Sequence, residues 1–230
     1  MKVKKIIASV LLIFTICSLI PANGSVNAAS KSSMAKSLKH MGLLLRNDGL
    51  SKKINRQDAY KILVRGLGYT RYAEYLKLKA AKDNLKSNIK DVAKISNGNI
   101  KSINYLYING AIRVSKKKIG AKKKITGSYF SYSVMSLLGY KLKGKDKKKA
   151  TEHLAKKCGL TRKRARQLEN KKLTKGEAVE ILWHALKSKI AKDNMTQIEF
   201  LVEFSLVSKL AAIEEGFIKD DRPVMPVEET

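Results

Sequence analysis

Cysteine, proline and tryptophan are scarce in this chain of 230 residues, which contains two, three and one of them. Cys17 lies in an apolar N-terminal run that we expect to be removed, so Cys158 would be the only cysteine left. A single cysteine excludes an intramolecular disulfide, and its position among small and apolar residues before Gly159 favours a buried structural thiol. The fold must therefore be stabilised by packing alone.

The chain also lacks the residue clusters that typically carry out catalysis. Its three histidines, His40, His153 and His184, are isolated from plausible partners. No serine, cysteine or group of metal ligands occurs at a spacing typical of a nucleophile with its base or of a metal centre. We therefore predict a protein that is not an enzyme and needs neither a cofactor nor a metal.

Acidic residues are few, and basic residues outnumber them. The sequence has 48 Lys and Arg against 19 Asp and Glu, which gives a net charge of +29. Four runs of three cations contribute to it: 116–118, 122–124, 147–149 and 162–164. The end differs, because residues 193–230 contain nine acids and three basic residues. Such a chain is expected to bind polyanions: wall polymers, acidic polysaccharides or lipid head groups outside the cell, or nucleic acid inside it.

The N-terminus has the pattern of a secretory signal peptide over residues 1–28. Three lysines precede an apolar run, 6–20, that is short for a membrane span, and 26–28 is a small-residue cleavage site. This site favours cleavage after Ala28 over the alternative of a retained anchor. Without the three lysines of the leader, the mature chain would have a net charge of +26 and no transmembrane helix.

A motif in residues 172–186 recurs in residues 53–69 and 124–140. In the first of these stretches Thr174 and Glu177 form a capping-box pattern, and apolar residues then follow at helical spacing. The other two copies begin with Asn55 and Thr126 at the cap position. The repetition predicts three capped helices that share one core through their buried faces. The residues expected to meet in this core are Leu63, Val134 and Leu182.

Each capped helix is preceded by another predicted helix, a glycine and a basic loop. In the first module Leu38, Met41, Leu44 and Leu45 are expected to form a helical stripe, with Gly42 near its end. No convincing long strand is present, so we predict a mainly α fold. The predicted modules are residues 34–72, 88–141 and 145–188, followed by a helical extension with an acidic tail over 190–230.

These repeated residues resemble the S-layer homology (SLH) module. The pattern of that family has an Asp-Val start, a helix that ends at Gly-Ile or Gly-Leu, and then Ile/Leu-Thr-Arg-Ala-Glu opening a second helix. Residues 90–92 and 110–112 match its first half in module two, whereas residues 54–59 and 173–178 match its second half in modules one and three. The resemblance covers about residues 34–210, and it depends on the order and repetition of the motifs.

The resemblance implies that the three modules form a pseudo-trimer around a shared helical centre. It also implies non-covalent binding to anionic secondary cell-wall polysaccharide at the surface of a Gram-positive type cell, with other surface proteins as further partners. The residues that match the ligand-binding positions of the family are Asn55, Arg56, Asp91, Thr174 and Lys175. A cation in the first turn of a helix, beside unpaired backbone amides, is expected to attract an anionic sugar.

Module two departs from the family pattern, because 126–129 contains neither the cation nor the acid. One alternative is therefore that the repeats form only a structural scaffold. A second alternative is nucleic-acid binding, because residues 152–187 resemble a helix-turn-helix with a basic second helix. The predicted leader disfavours nucleic acid as the partner.

The first testable prediction concerns export. We expect a mature protein that begins within a few residues of Ala29, because the small residues before this position suit signal peptidase. Mass spectrometry of the secreted or wall-bound protein measures this N-terminus. A mature protein that retains Met1 would contradict the prediction.

Overall fold

The computed structural model describes residues 30–221; the predicted leader and the last nine residues lie outside this range. The predicted mainly α fold is confirmed, since residues 30–221 form α-helices and isolated β-bridges but no strand. The helices are α1 (Lys31–His40), α2 (Arg56–Gly66), α3 (Thr70–Glu74), α4 (Leu78–Lys86), α5 (Asn97–Ile108), α6 (Gly127–Leu137), α7 (Ala150–Ala155), α8 (Arg162–Glu169), α9 (Lys175–Leu186), α10 (Gln197–Glu203) and α11 (Lys209–Glu214). Short 3₁₀ helices occupy Val92–Lys94 and Gly144–Lys149. Within this range no helix has the length and apolar character that crossing a bilayer requires.

The caps predicted from the repeat begin the helices α2, α6 and α9. Thr174 and Glu177 form the full capping box of α9, and Asn55 Oδ1 accepts from the amide of Asp58 at 3.0 Å. Thr126 has the extended backbone of a cap but makes no side-chain cap bond to α6. Its hydroxyl lies 3.3 Å from that of Ser128 instead. The predicted cap positions therefore mark where these helices begin, and the side-chain bond that favours such a cap forms at Asn55 and Thr174 but not at Thr126.

The three segments that precede the capped helices form a closed ring of backbone hydrogen bonds. Ile54 N–H donates to Leu173 C=O at 3.1 Å, Leu173 N–H to Ile125 C=O at 2.9 Å, and Ile125 N–H to Ile54 C=O at 3.2 Å. Each repeat thus donates to one of the others and accepts from the third, and all three side chains are buried. This ring supports the expected three-fold arrangement of the modules, which stays a prediction.

The capped helices α2, α6 and α9 contact one another pairwise beyond this ring. Leu63, Val134 and Leu182, one from each helix, are completely buried. Gly66 at the end of α2 lies so close to α9 that an added Cβ would be 2.6 Å from Leu182 Cδ1. The three amphipathic faces therefore meet in one apolar core, which the repeat predicted.

The helices that cover this core come from neighbouring modules. α5 packs on α2, α7 and α8 pack on α6, and α1 packs on α9. Each capped helix is thus covered by the first half of the module that follows it, and the last is covered by the first half of module one. Each packing unit therefore combines halves of two sequence modules. Because the last capped helix packs against the first half of module one, the first and third modules are in contact.

The expected stripe of the first helix is wrong at its C-terminal end. α1 ends at His40, and Leu45 is 60% exposed. Gly42 adopts a φ of +73°, and the amides of Leu43 and Leu44 both donate back to the Leu38 carbonyl. This glycine turn ends the helix before Met41, Leu44 and Leu45, so three of the four stripe residues lie beyond it.

The C-terminal extension folds back against the modules. Phe217 lies 5.4 Å from Trp183 between ring centroids, and Gln197 Nε2 donates to the Leu67 carbonyl at 3.0 Å. His40 Nδ1 lies 2.8 Å from Glu215 Oε1, which joins α1 to the end of α11. The extension therefore packs against Trp183 of α9, which is half-buried.

A double-mutant cycle tests the contact between α2 and α9. We expect Gly66→Ala to lower the free energy of unfolding by about 1–3 kcal/mol, because the new methyl overpacks Leu182. In a Leu182→Ala background this cost should disappear, since the space is then free. Denaturant unfolding measures all four proteins, with Gly98→Ala on the exposed side of α5 as the control. Equal costs of Gly66→Ala in both backgrounds would refute this packing.

Candidate anion-binding site

The five residues predicted to bind the glycan lie at or near the starts of the capped helices. Asn55 and Thr174 are the caps of α2 and α9, and their side-chain oxygens accept from helix amides. Arg56 and Lys175 are the first residues of these helices. Asp91 precedes the 3₁₀ helix Val92–Lys94 and is buried. The structure therefore places four of the five at two separate α-helix N-termini and Asp91 at the start of the 3₁₀ helix.

The expectation of unpaired amides beside the two cations is wrong. A loop from another module lies over each helix N-terminus, and its carbonyls accept from the first amides. The bonds are Arg56 N–H to Lys123 C=O (2.9 Å), Gln57 N–H to Ala121 C=O (3.1 Å), Lys175 N–H to Lys52 C=O (2.9 Å) and Gly176 N–H to Leu50 C=O (2.8 Å). Attraction for an anion must therefore come from side chains rather than from these backbone donors.

The two cations make the same contact at their separate sites. Arg56 Nη1 donates to the Ile119 carbonyl at 2.7 Å, and Lys175 Nζ donates to the Asp48 carbonyl at 2.9 Å. Each acceptor precedes a glycine in the left-handed region, Gly120 with φ +70° and Gly49 with φ +63°. Arg56 and Lys175 thus anchor equivalent loops, which is a structural role that the sequence motif did not indicate.

Asp91 fixes the loop that Arg56 contacts. Its two carboxylate oxygens accept from the amides of Ile119 at 2.9 Å and Gly120 at 2.8 Å. Because Ile119 also accepts from Arg56, the acid and the arginine hold one loop from two sides. The carboxylate is occupied by these bonds, so Asp91 shapes the site and does not repel an anion strongly.

A groove of about 640 Å³ opens beside this loop, and we call it the basic groove. Its walls are residues 90–94, the loop 115–123, the start of α2 and the ring of Tyr129. Seven cationic side chains and one carboxylate line it: Arg56, Lys90, Lys94, Lys116, Lys118, Lys122, Lys123 and Asp91. All six lysines are exposed. The groove therefore concentrates positive charge in a concave surface, where the potentials of the cations add.

Arg56 is held in the basic groove by a hydrogen bond and by an aromatic ring. Its guanidinium carbon lies 4.0 Å from the centroid of the Tyr129 ring, and Arg113 approaches the same ring at 4.8 Å. Burial lowers the pKa of Arg113 from its ordinary value. Among residues 30–221, Arg56 Nε is buried and has no hydrogen-bond partner. Stacking and the Ile119 bond orient the guanidinium and leave it with unused donor capacity.

The equivalent depression at α9 has about 360 Å³ and a more balanced charge. Asn55 and Lys175 both line it, together with three further lysines and the acids Asp48 and Asp58. The attraction of Lys175 holds the pKa of Asp48 below its ordinary value. The charge of Lys175 is thus largely offset by a neighbour within the chain, which makes this depression a poorer anion site than the basic groove.

At α6 the cation is replaced by Gly127 for a steric reason. An added Cβ at Gly127 would lie 2.1 Å from the backbone carbonyl oxygen of Leu168, so no side chain fits there. Two positions further on, Tyr129 replaces the acid found as Asp58 and Glu177 in the other copies. The departure of module two from the family pattern therefore removes one cation and supplies the ring beneath another, Arg56.

Sequence reasoning missed Lys90, Lys94 and Tyr129 as members of the site. The two lysines belong to no run, and Tyr129 is separated from Arg56 by more than seventy residues. The runs 116–118 and 122–124 were visible, and members of both line the basic groove. These runs therefore contribute side chains to the candidate site and are not only solvated surface charge.

The basic second helix of the helix-turn-helix resemblance is α8. Arg164 in α8 donates from Nε and Nη2 to the two oxygens of Glu180, both at 2.7 Å. Cys158 packs near α8, and burial raises the pKa of its thiol. The central arginine of this helix is thus engaged within the chain, and a reactive thiol is disfavoured. Within residues 30–221 no group of three or more metal-ligand side chains comes together.

Another cavity, of about 610 Å³, is lined mainly by aromatic and aliphatic side chains. Tyr72, Tyr105 and Phe204 line it, together with Tyr75, whose exposed fraction is 88%. Tyr105 stacks on Tyr69 with ring centroids 5.6 Å apart. This cavity contains one cation, Arg71, so it lacks the charge that distinguishes the basic groove.

Comparison of the chain with protein-family profiles, curated protein sequences and solved structures finds no match. The resemblance to SLH modules therefore stays a prediction from the order of the motifs. The geometry of the basic groove is the basis on which a function can be proposed.

The role of Asp91 gives a stability prediction. We expect Asp91→Ala to lower the free energy of unfolding by about 3 kcal/mol, because two backbone amides lose a charged acceptor. Denaturant unfolding gives this value, and hydrogen exchange should show faster exchange at Ile119 and Gly120. Asp83→Ala removes the same charge at an exposed position and is the control. Similar stability of both variants would show that Asp91 does not fix the loop.

Proposed function

We propose that the protein is exported and binds non-covalently, through the basic groove, to an anionic secondary polysaccharide of the cell wall. The observation that carries this proposal is the convergence of seven cations around a single carboxylate that is already hydrogen-bonded. The expected leader supports a location outside the cell. There, the abundant polyanions are wall polymers and acidic polysaccharides.

The arrangement of the cations favours a polymer over a small anion. The lysines are distributed around the whole groove, and a single small anion could contact only a few of them. A chain with repeated anionic groups can occupy several at once. Lysines act as hydrated point charges with little geometric selectivity, whereas the oriented guanidinium of Arg56 can select for position. The lysines would supply attraction, and Arg56 would align the bound segment.

The proposal assigns binding mainly to one of the three repeated helix N-termini. At α2 the groove has seven cations and one acid, at α9 the acids Asp48 and Asp58 offset two of four lysines, and at α6 the cation is absent. We therefore propose one principal site for each chain. The scaffold alternative would apply if this site had no ligand, whereas the engaged Arg164 gives the nucleic-acid alternative no support.

Binding to purified sacculi, before and after removal of the wall polysaccharide, tests the proposal. We expect binding by the wild-type protein only before removal. Replacement of Lys94, Lys118 and Lys122 by Gln should weaken this binding about tenfold, if each exposed contact contributes about 0.5 kcal/mol. Replacement of Lys145, Lys148 and Lys149, which lie outside the groove, is the matched control for charge and should change binding less than about twofold.

Single substitutions distinguish the two predicted cations. Arg56→Ala should weaken wall binding more than Lys175→Ala, because only Arg56 lines the basic groove. Salt gives a second comparison, since the Debye length falls to roughly 3 Å at 1 M salt and removes diffuse attraction. Equal losses in the groove and control triple variants, with no binding left at 1 M salt, would make the protein a non-specific polycation and refute the groove.

A further inference from the structure

A tight turn at residues 115–118 forms one rim of the basic groove and has an unusual backbone. Ser115 and Lys118 exchange both backbone hydrogen bonds, at 3.0 and 2.9 Å. Between them, Lys116 has a φ of +50° and Lys117 a φ of +58°. A two-residue turn with two positive φ values strongly favours Asn-Gly, because other side chains clash with the backbone in this region. Two lysines are therefore strained where the turn would favour other residues.

The contacts of the turn do not require lysine side chains. The backbone carbonyl of Lys117 accepts from the amide of Lys90 at 2.8 Å, a bond that any residue could make. The side chains of Lys116 and Lys118 are exposed and line the basic groove. The backbone conformation of the turn therefore disfavours lysine at 116 and 117, whereas the location of the turn places the charge of Lys116 and Lys118 on the basic groove.

The turn is also held firmly in place. The Lys90 amide holds it from one side, and the carboxylate of Asp91 binds the two amides that follow it, those of Ile119 and Gly120. These bonds fix the direction in which the turn projects. A charged element that is rigid before binding loses less conformational entropy when a ligand is bound.

We propose that the Lys116–Lys117 turn is a polyanion-binding element in which conformational stability has been exchanged for positive charge. Its ligand is a polymer with repeated phosphate or carboxylate groups, which lysine ammonium groups bind as point charges. The wall origin of this polymer rests on the function proposed above. The proposal for the turn requires only that the ligand is a polyanion, whatever its source.

The test replaces the turn by the sequence that its backbone favours. Lys116→Asn combined with Lys117→Gly should raise the Tm by about 4 °C, because both strained residues are relieved. The same variant should bind polyphosphate and polygalacturonate about fivefold more weakly than the wild-type mature chain. Lys145→Asn with Lys148→Asn removes equal charge outside the groove and should change the affinity less than about twofold.

A single substitution separates strain from charge. Lys117→Gly should raise the Tm and keep most of the affinity, because Lys116 remains on the groove. Thermal unfolding and titration with the two polymers measure both quantities. A double variant that is no more stable than the wild-type would overturn the inference, and so would one that binds both polymers as tightly as the wild-type does.

The two proposals can fail separately. Binding to the defined polymers that depends on the turn, without binding to sacculi, would reject the wall polysaccharide and retain the turn. Binding to sacculi that is unchanged in the double variant would reject the turn and retain the wall. A preference for polyphosphate or for polygalacturonate would identify the anionic group that the turn recognises.

Discussion

The fold depends on a ring of three backbone hydrogen bonds among Ile54, Ile125 and Leu173. Buried backbone groups need partners, and these short segments have no sheet to supply them. Each segment finds its donor and its acceptor in the other two repeats. The ring fixes the starting points of α2, α6 and α9 relative to one another, and their apolar faces then meet in a single core. No described disulfide assists this closure.

The same closure determines where an anion can bind. The loops that lead into the ring cover the helix N-termini and use their first amides, so the helix ends are not open anion sites. What differs between the three ends is the side chains at the first and third helical positions. Arg56 at one end and Tyr129 at another come together because neighbouring modules meet there. One site is thus built from two imperfect copies of the motif.

The few buried acids organise a chain that is otherwise strongly basic. Asp91 fixes the rim of the basic groove, and Glu177 accepts from Lys171 at 2.6 Å and lies 3.6 Å from Arg164. Although burial opposes its ionisation, hydrogen bonds from Lys171 and Thr174 keep the pKa of Glu177 below its ordinary value. Cations near these acids serve the fold, whereas the lysines around the groove remain exposed to solvent. This division separates structural charge from charge that can attract a ligand.

The sequence alone predicted the mainly α fold and the starts of the three capped helices, because these follow from local spacing and from the residue types at the cap positions. It also predicted a polyanionic partner, which stays a proposal, and it singled out Arg56, which lines the basic groove. Only the tertiary structure decided which cations act together, since Arg56 and Ile119 are 63 positions apart and Asp91 and Gly120 are 29 apart. Contacts over such distances depend on how the modules exchange helices and loops. The sequence motif of one repeat does not indicate which loop of another module will cover it.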